Sequence, residues 1–338
     1  MRSRIITGLA GPELSLDEKA FLASVQPAGI ILFARNCGSQ DQIRRLVAES
    51  IDAVGADEVL VLIDQEGGRV QRLRPPLGRT LPTARAFGQL YETDADTAVK
   101  AAQLVFQLLA ADLRELGINT DCAPVLDVPV EGAHGIIGDR AYGTTVAPIA
   151  ALGRAVAEGL MAGGVVPVIK HVPGHGRADC DSHLALPVVG ESHEVLRQSD
   201  FLTFRGLADL PAAMTAHVVY KAIDANAPAT TSPCVIADII REEVGFDGLL
   251  MSDDLSMKAL AGPMKARAEA TIAAGCDLVL HCNGDISEMT AAAAGTPVLD
   301  GPALDRFARA WAVTQEVRGF DISEAEAALS LVLASGSA

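Results

Sequence analysis

Short apolar, β-branched runs recur along the chain, with helical stretches between them, and this alternation constrains the fold more than any other feature. The runs are Ile5–Leu9, Gly29–Phe33, Val59–Ile63, Ile118–Ala123, Val165–Ile169, Ala212–Thr215, Leu249–Ser252 and Asp277–His281. Several are continuously apolar, as strands buried on both faces are. Pro167 inside the fifth run places the reliable part of that strand after it. The segments between carry helical signals. Ser39-x-x-Gln42 is a capping box ahead of Ile43, Leu46 and Val47. Ala/Leu/Val patterns of helical period occupy Asp94–Leu116 and Ala147–Ala162, the latter closed by Gly163-Gly164. Ser232–Val244, Met264–Ala274, Leu304–Val317 and Ile322–Leu333 are further helices.

Eight strands alternating with helices predict an α/β fold, a single-domain TIM-type (β/α)8 barrel over residues 1–338 with a C-terminal helical tail from about 302. An open doubly wound sheet is the competitor, but it gathers ligand groups at one switch point. Here polar residues follow strand after strand: Arg35-Asn36, Asp64–Arg72, Asp121, Lys170-His171, His217, Asp253-Asp254 and Asn283. A site assembled from many strand ends belongs to a barrel.

Charge narrows the partners. A formal net charge of -16 argues against nucleic acid or an anionic membrane. No run of apolar residues is long enough to span a bilayer, and no secretory signal opens the chain. The six cysteines form no C-x-x-C pair, which suits free thiols in a reducing cytoplasm. A cytoplasmic monomer acting on a small molecule is the expectation.

The densest polar stretch is Lys170–His183, KHVPGHGRADCDSH, a loop fed by the fifth run. Three chemistries fit its residue types. His171, His175, Cys180 and His183 could ligate zinc, although the HxxxH spacing spans Pro and Gly rather than a helix face. Lys170 could form a Schiff base if its amine were desolvated. Asp181-x-His183 could form a carboxylate-oriented imidazole for general acid/base work. Gly174 and Gly176 suggest a hinge that swings His183 over a ligand.

Other strand ends add candidates. Asp64 could accept hydroxyl hydrogen bonds and Arg72 could hold a hydroxyl, amide or carboxylate, whereas Glu66 and Arg69 suit internal salt bridges. Arg140 could clamp a ligand, though a surface ion pair with Asp139 is the simpler assignment. Asp253 or Asp254 could be a nucleophile, the other capping a helix that begins near Leu255. His217 is a candidate wall residue.

Taken together, ILFARN at 31–36, DQEGGRVQR at 64–72, APVLDV at 123–128, IGDRAY at 137–142, KHVPGHG at 170–176, DSH at 181–183, MTAHVVY at 214–220 and SDDLSM at 252–257 resemble the short, single-domain bacterial β-N-acetylglucosaminidase branch of glycoside hydrolase family 3. The matches run from residue 29 to about 283, departing at Val172, where the family usually has Phe, and at Asp139, where Glu is frequent. The resemblance implies a retaining mechanism on peptidoglycan-derived anhydro-muropeptides, with no cofactor and no metal. It implies Asp253 as nucleophile and His183, oriented by Asp181, as acid/base. It implies that Asp64, Arg72, Arg140, Lys170 and His171 hold N-acetylglucosamine, with His217 at the wall. A phosphorylase and a substrate-assisted hexosaminidase are the alternatives; a sugar-binding module with a dead site is disfavoured by the presence of both catalytic candidates.

Overall fold

The structure, a computed structural model, describes residues 2–182 and 185–335. The apolar runs become β1 (Ser3–Gly8), β2 (Pro27–Leu32), β3 (Leu60–Ile63), β4 (Thr120–Asp121), β5 (Val166–Val172), β6 (Ala212–Thr215), β7 (Leu249–Asp254) and β8 (Leu278–His281). Neighbouring strands are parallel, and the barrel closes where Ile5, Ile6 and Thr7 of β1 pair with Val279, Leu280 and His281 of β8. The expected single-domain TIM-type barrel is the observed one.

Two strands differ from expectation for identifiable reasons. Pro167 lies within β5, paired with Asp121. Val166 and Val168 donate their amides to Asn119 O and Ala123 O, which flank β4, so position 167 faces β6 instead, and β6 pairs only from Val168 onward. The missing N–H therefore costs no ladder bond. β4 is paired only over Thr120–Asp121 because a side chain replaces part of its ladder: Asn119 accepts the Val61 amide at 2.8 Å and donates to Val59 O at 3.0 Å.

The helices wrap this barrel. They include α1 (Leu16–Val25), α2 (Gln40–Val54), α3 (Ala84–Thr93), α4 (Ala95–Glu115), α5 (Val146–Ala162), α6 (His193–Gln198), α7 (Asp200–Arg205), α8 (Met264–Ala274), α9 (Ile286–Ala293), α10 (Gly301–Val313) and α11 (Ile322–Ser335), with a π-helical segment at Val235–Glu243. The capping box at α2 forms both bonds, Gln42 N to Ser39 Oγ and Ser39 N to Gln42 Oε1. The first helix carries no legible apolar stripe, since Leu16 is 85% exposed; a Ser15/Glu18 capping box starts it instead. The Asp94 side chain caps α4, the helix expected over Asp94–Leu116, through Thr97 N, and its backbone ends α3, a helix the sequence reading did not anticipate.

Inside the barrel, Ile6, Ile31, Leu60, Leu62, Val166, Val168, Leu249, Met251, Leu278 and Leu280 form a packed column. Ala303, Phe307 and Ala310 of α10 join its lower end. Burying Phe307 completely contributes about 1.5–3 kcal/mol and closes the N-terminal mouth. On the outside, α11 lodges Ala325 and Val332 in the core shared with α3 and α4. That leaves the C-terminal mouth as the open end. There the ladders slip, between Lys170 and Val172 against β6 and between Met251 and Asp254 against β8. Such irregularities re-aim side chains next to sites.

Candidate active site

A pocket of about 290 Å³ opens at that mouth, near the lower end of the usual range for small-molecule sites, roughly 300–1,000 Å³. Asp64, Arg72, Arg140, Lys170, His171 and Asp253 all line it, so six of the sequence candidates converge from separate strand ends.

Their charges form an alternating ladder. Arg72 donates to Asp64 Oδ2 at 2.9 Å, and Lys170 Nζ donates to Asp64 Oδ1 at 2.9 Å. Lys170 also meets Glu66 Oε1 at 2.6 Å, and Arg140 grips Glu66 with two bonds of 2.7 and 2.8 Å. Burial alone would raise the Asp64 carboxyl; Lys170 and Arg72 outweigh it and hold the group well below the usual carboxylate range. Burial likewise opposes ionisation of Glu66, but Arg140 and Lys170 bring its pKa to about 2. The Lys170 amine is fully ammonium: burial lowers its pKa, yet Asp64 and Glu66 raise it further. A Schiff-base role needs a depressed amine, so the ladder removes that reading.

One sequence assignment is corrected here. Arg140 pairs with Glu66, not Asp139, which bonds to Arg69 at 2.8 Å. Glu66, only 7% exposed, forms the internal salt bridges expected of it and also lines the pocket. The signal that finds it is strand alternation: residues 64 and 66 share a face. Phe33 is a second residue the sequence reasoning passed over. Its ring supports the guanidinium groups of Arg35 and Arg72, at 4.8 and 5.2 Å from the centroid, and so steadies Arg72 at the pocket edge.

Asp127 is the third. It is fully buried; Oδ1 accepts the amides of His171 and His175, and Oδ2 meets His171 Nδ1 at 2.7 Å. Burial works against its ionisation, but His171 and those bonds keep its pKa at about 2. The Lys170–His171 peptide is cis, and both side chains line the pocket. With Nδ1 committed to Asp127, Nε2 is the His171 nitrogen left to address a ligand.

At the end of β7 the two aspartates separate in role. Asp254 is consumed by structure: Oδ1 accepts Ser256 N at 2.9 Å and Cys282 N at 3.0 Å, and Oδ2 accepts Ser256 Oγ at 2.5 Å. It holds a turn and the end of β8. The helix expected near Leu255 is absent; the next helix is α8, which begins at Met264 after Pro263. Asp253, whose Oδ1 accepts the Asp254 amide, lines the pocket beside it.

His217 is fully buried behind that wall, Nδ1 meeting Thr230 Oγ1 at 2.7 Å and Nε2 meeting Asp254 O at 3.0 Å. Asp121, another polar strand end, is equally buried and lies away from the pocket lining. Its Oδ1 accepts Gln65 N, and burial pushes its carboxyl up to about 7.

His183 lies outside the described residues. The stretch leading to it is closely packed. A Cβ at Gly176 would come within 2.0 Å of Val128 O, and one at Gly174 within 2.9 Å of Asp200 Cβ. Tyr220 OH donates to Gly174 O at 2.5 Å, and Arg177 donates to Asp200 Oδ2 at 2.7 Å. These glycines permit close packing. Beyond them, Asp179 Oδ1 accepts Val188 N at 3.1 Å. Ser182 lines the pocket, whereas Asp181, half-buried, is not one of the lining residues. Among the described residues, no group of His, Cys, Asp or Glu is arranged to hold a metal ion. Among the same residues, no helix is long and apolar enough to cross a membrane.

Comparison with known proteins agrees with the barrel. Residues 6–300 match the glycosyl hydrolase family 3 N-terminal domain. A β-hexosaminidase from Methylococcus capsulatus is 43% identical over 279 residues, 81% of either chain. One from Alkalilimnicola ehrlichii is 40% identical over 283 residues, 82% of this chain and 80% of the other. The structure of NagZ from Neisseria gonorrhoeae in complex with N-trifluoroacetyl-D-glucosamine superposes with a TM-score of 0.87 at 34% identity, covering 100% of this chain and 99% of that one. This chain belongs to glycosyl hydrolase family 3.

Proposed function

We propose that this β-N-acetylhexosaminidase removes non-reducing terminal N-acetylglucosamine from peptidoglycan-derived anhydro-muropeptides, as a cytoplasmic monomer in cell-wall recycling, by a retaining two-step mechanism. The observation that carries the reading is the division of labour at β7. Asp254 is bound up in the turn, and Asp253 stands beside it on a sugar-sized pocket whose other polar groups are already oriented. In the first step an Asp253 carboxylate oxygen attacks the anomeric carbon. The bond from that carbon to the aglycone oxygen breaks, and imidazolium His183 gives that oxygen its proton. In the second, neutral His183 takes a proton from water, the water oxygen attacks the anomeric carbon, and Asp253 leaves as carboxylate. Asp181 orients the imidazole.

Most retaining glycosidases use a second carboxylate for the proton work. An imidazole, whose ordinary pKa of about 6.5 lies near neutrality, serves as acid in one step and base in the next. Asp64, Arg72, Arg140, Lys170 and His171 hold the sugar. Their mutual ion pairs fix donor and acceptor directions before a ligand arrives, which lowers the ordering cost of binding.

Trapping with a 2-fluoro or 5-fluoro glycoside tests the mechanism. The expected result is a covalent label on Asp253, found by peptide mass spectrometry. An unlabelled protein that is strongly inhibited by a thiazoline mimic would instead make the acetamido group the nucleophile. Product analysis on purified anhydro-muropeptides, with and without phosphate, tests the substrate and separates hydrolysis from phosphorolysis.

A further inference from the structure

One buried polar ring in the turn that follows β5 has no part in the mechanism above. His175 is 3% exposed and lines the pocket. Its amide is pinned to Asp127 Oδ1 at 2.7 Å, and its ring meets His171 edge-on with centroids 5.6 Å apart. Nε2 lies 3.3 Å from Ser182 Oγ, while Nδ1 has no hydrogen-bond partner among the described residues. Buried polar atoms are nearly always satisfied, so an orphan nitrogen on a pocket wall marks a functional constraint. Burial and then the neighbouring His171 lower its pKa to about 4, which keeps the ring neutral, with one donor and one acceptor nitrogen.

Its partner explains the placement. Ser182 is also 3% exposed and separates Asp181 from His183 in the chain. Its carbonyl accepts Ala259 N at 3.2 Å, so the loop that follows β7 grips its backbone while His175 grips its side chain. The residue between the two proposed acid/base groups is thus fastened both to the sugar-holding wall and to the loop beyond the proposed nucleophile. We infer that His175 is a positioning residue for the reaction, seating Ser182 and thereby the backbone that carries the proposed acid/base pair. The inference rests on the reading of Asp181 and His183 as the acid/base pair. Misplacing that pair weakens proton donation, which matters most when the departing alcohol is a poor leaving group.

The test uses the full chain and two N-acetylglucosaminides, one with an activated nitrophenyl aglycone and one with an unactivated alkyl aglycone. For Ser182→Ala and His175→Asn, kcat/KM on the alkyl substrate is expected to fall about 10- to 100-fold, against less than about 3-fold on the nitrophenyl substrate. The double variant should be no worse than the poorer single one, because both remove the same link. His175→Gln, whose amide reaches about as far as Nε2, should recover most of the loss. Equal losses on both substrates, or a Ser182→Ala enzyme that matches the parent on both, would overturn the inference. Ser182→Ala deletes a single hydroxyl and keeps the test alive should His175→Asn fold poorly. His183→Ala, assayed alongside, separates the two layers. If it shows leaving-group dependence and Ser182→Ala does not, the positioning role fails alone. If it shows none, the acid/base reading fails and takes the positioning role with it.

Discussion

Two ion-pair networks of similar composition sit at opposite mouths of the barrel, and they are wired differently. At the C-terminal mouth, Arg72, Asp64, Lys170, Glu66 and Arg140 bond chiefly to one another. At the N-terminal mouth, Arg241, Asp277, Arg306, Asp247 and Arg309 bond to one another and to the main chain. Arg241 donates to Phe246 O and Gly248 O at 2.9 and 2.8 Å, and Asp277 Oδ2 accepts Leu250 N at 2.9 Å. The lower network stitches the starts of β7 and β8 to α10. The upper one leaves its charges around an open pocket. Charge clusters at the bottom of such barrels serve stability and those at the top serve chemistry, and the backbone partners tell the two apart.

The contrast is open to test, beginning with the largest effect. Asp253→Ala should lower kcat on the order of 10⁴-fold or more with an unchanged melting temperature. A melting temperature that falls with activity would place Asp253 among the structural carboxylates, alongside Asp254. Asp277→Ala is the counterpart below. It leaves the partly buried guanidinium of Arg241 short of its charge partner and should cost about 3 kcal/mol in denaturant unfolding. Its kcat/KM at low temperature should match the parent. An enzyme of normal stability and poor activity would break the comparison outright.

Glu66→Gln lies between these extremes. Losing the carboxylate releases Arg140 and Lys170 from fixed directions, so kcat/KM should drop by roughly 10- to 100-fold. Stability should fall less than in Asp277→Ala. The smallest effect is expected at Asp121, which is buried near the upper network but away from its pocket. Its folded-state pKa of about 7 lies above the usual carboxylate range, so the native protein holds a proton that the unfolded chain releases first. That contribution is complete below about pH 4 and is lost as pH rises through about 7. Asp121→Asn should therefore stabilise the protein at pH 8, on the order of 2 kcal/mol, and change little near pH 4. Chemical denaturation across that range reads the difference; a pH-independent effect would mean that Asp121 is ionised throughout.

The strand ends show how far local reasoning carries. Asp64, Arg72, Lys170, His171 and Asp253 were legible because each ends or follows an apolar run, and strand direction alone sends such residues to one mouth. Glu66 was recoverable from strand alternation. Asp127 and Phe33 were not, because what they do is hold another residue: one fastens His171 and His175, the other supports Arg72 across the pocket. Gly174 and Gly176 are also places where a Cβ does not fit, a role that a glycine in sequence cannot distinguish from that of a hinge.

Periodicity and strand-end chemistry by themselves determined the barrel and which face would carry the site. Both follow from local rules: apolar runs buried on two faces must be covered by helices, and parallel strands send their C-terminal ends to one mouth. Only the tertiary structure decided which charges meet. Arg140 chose Glu66 over its neighbour Asp139, and Asp254, not Asp253, was taken into the turn. An ion pair is settled by proximity and desolvation, and residues more than seventy positions apart become neighbours only once the barrel has closed.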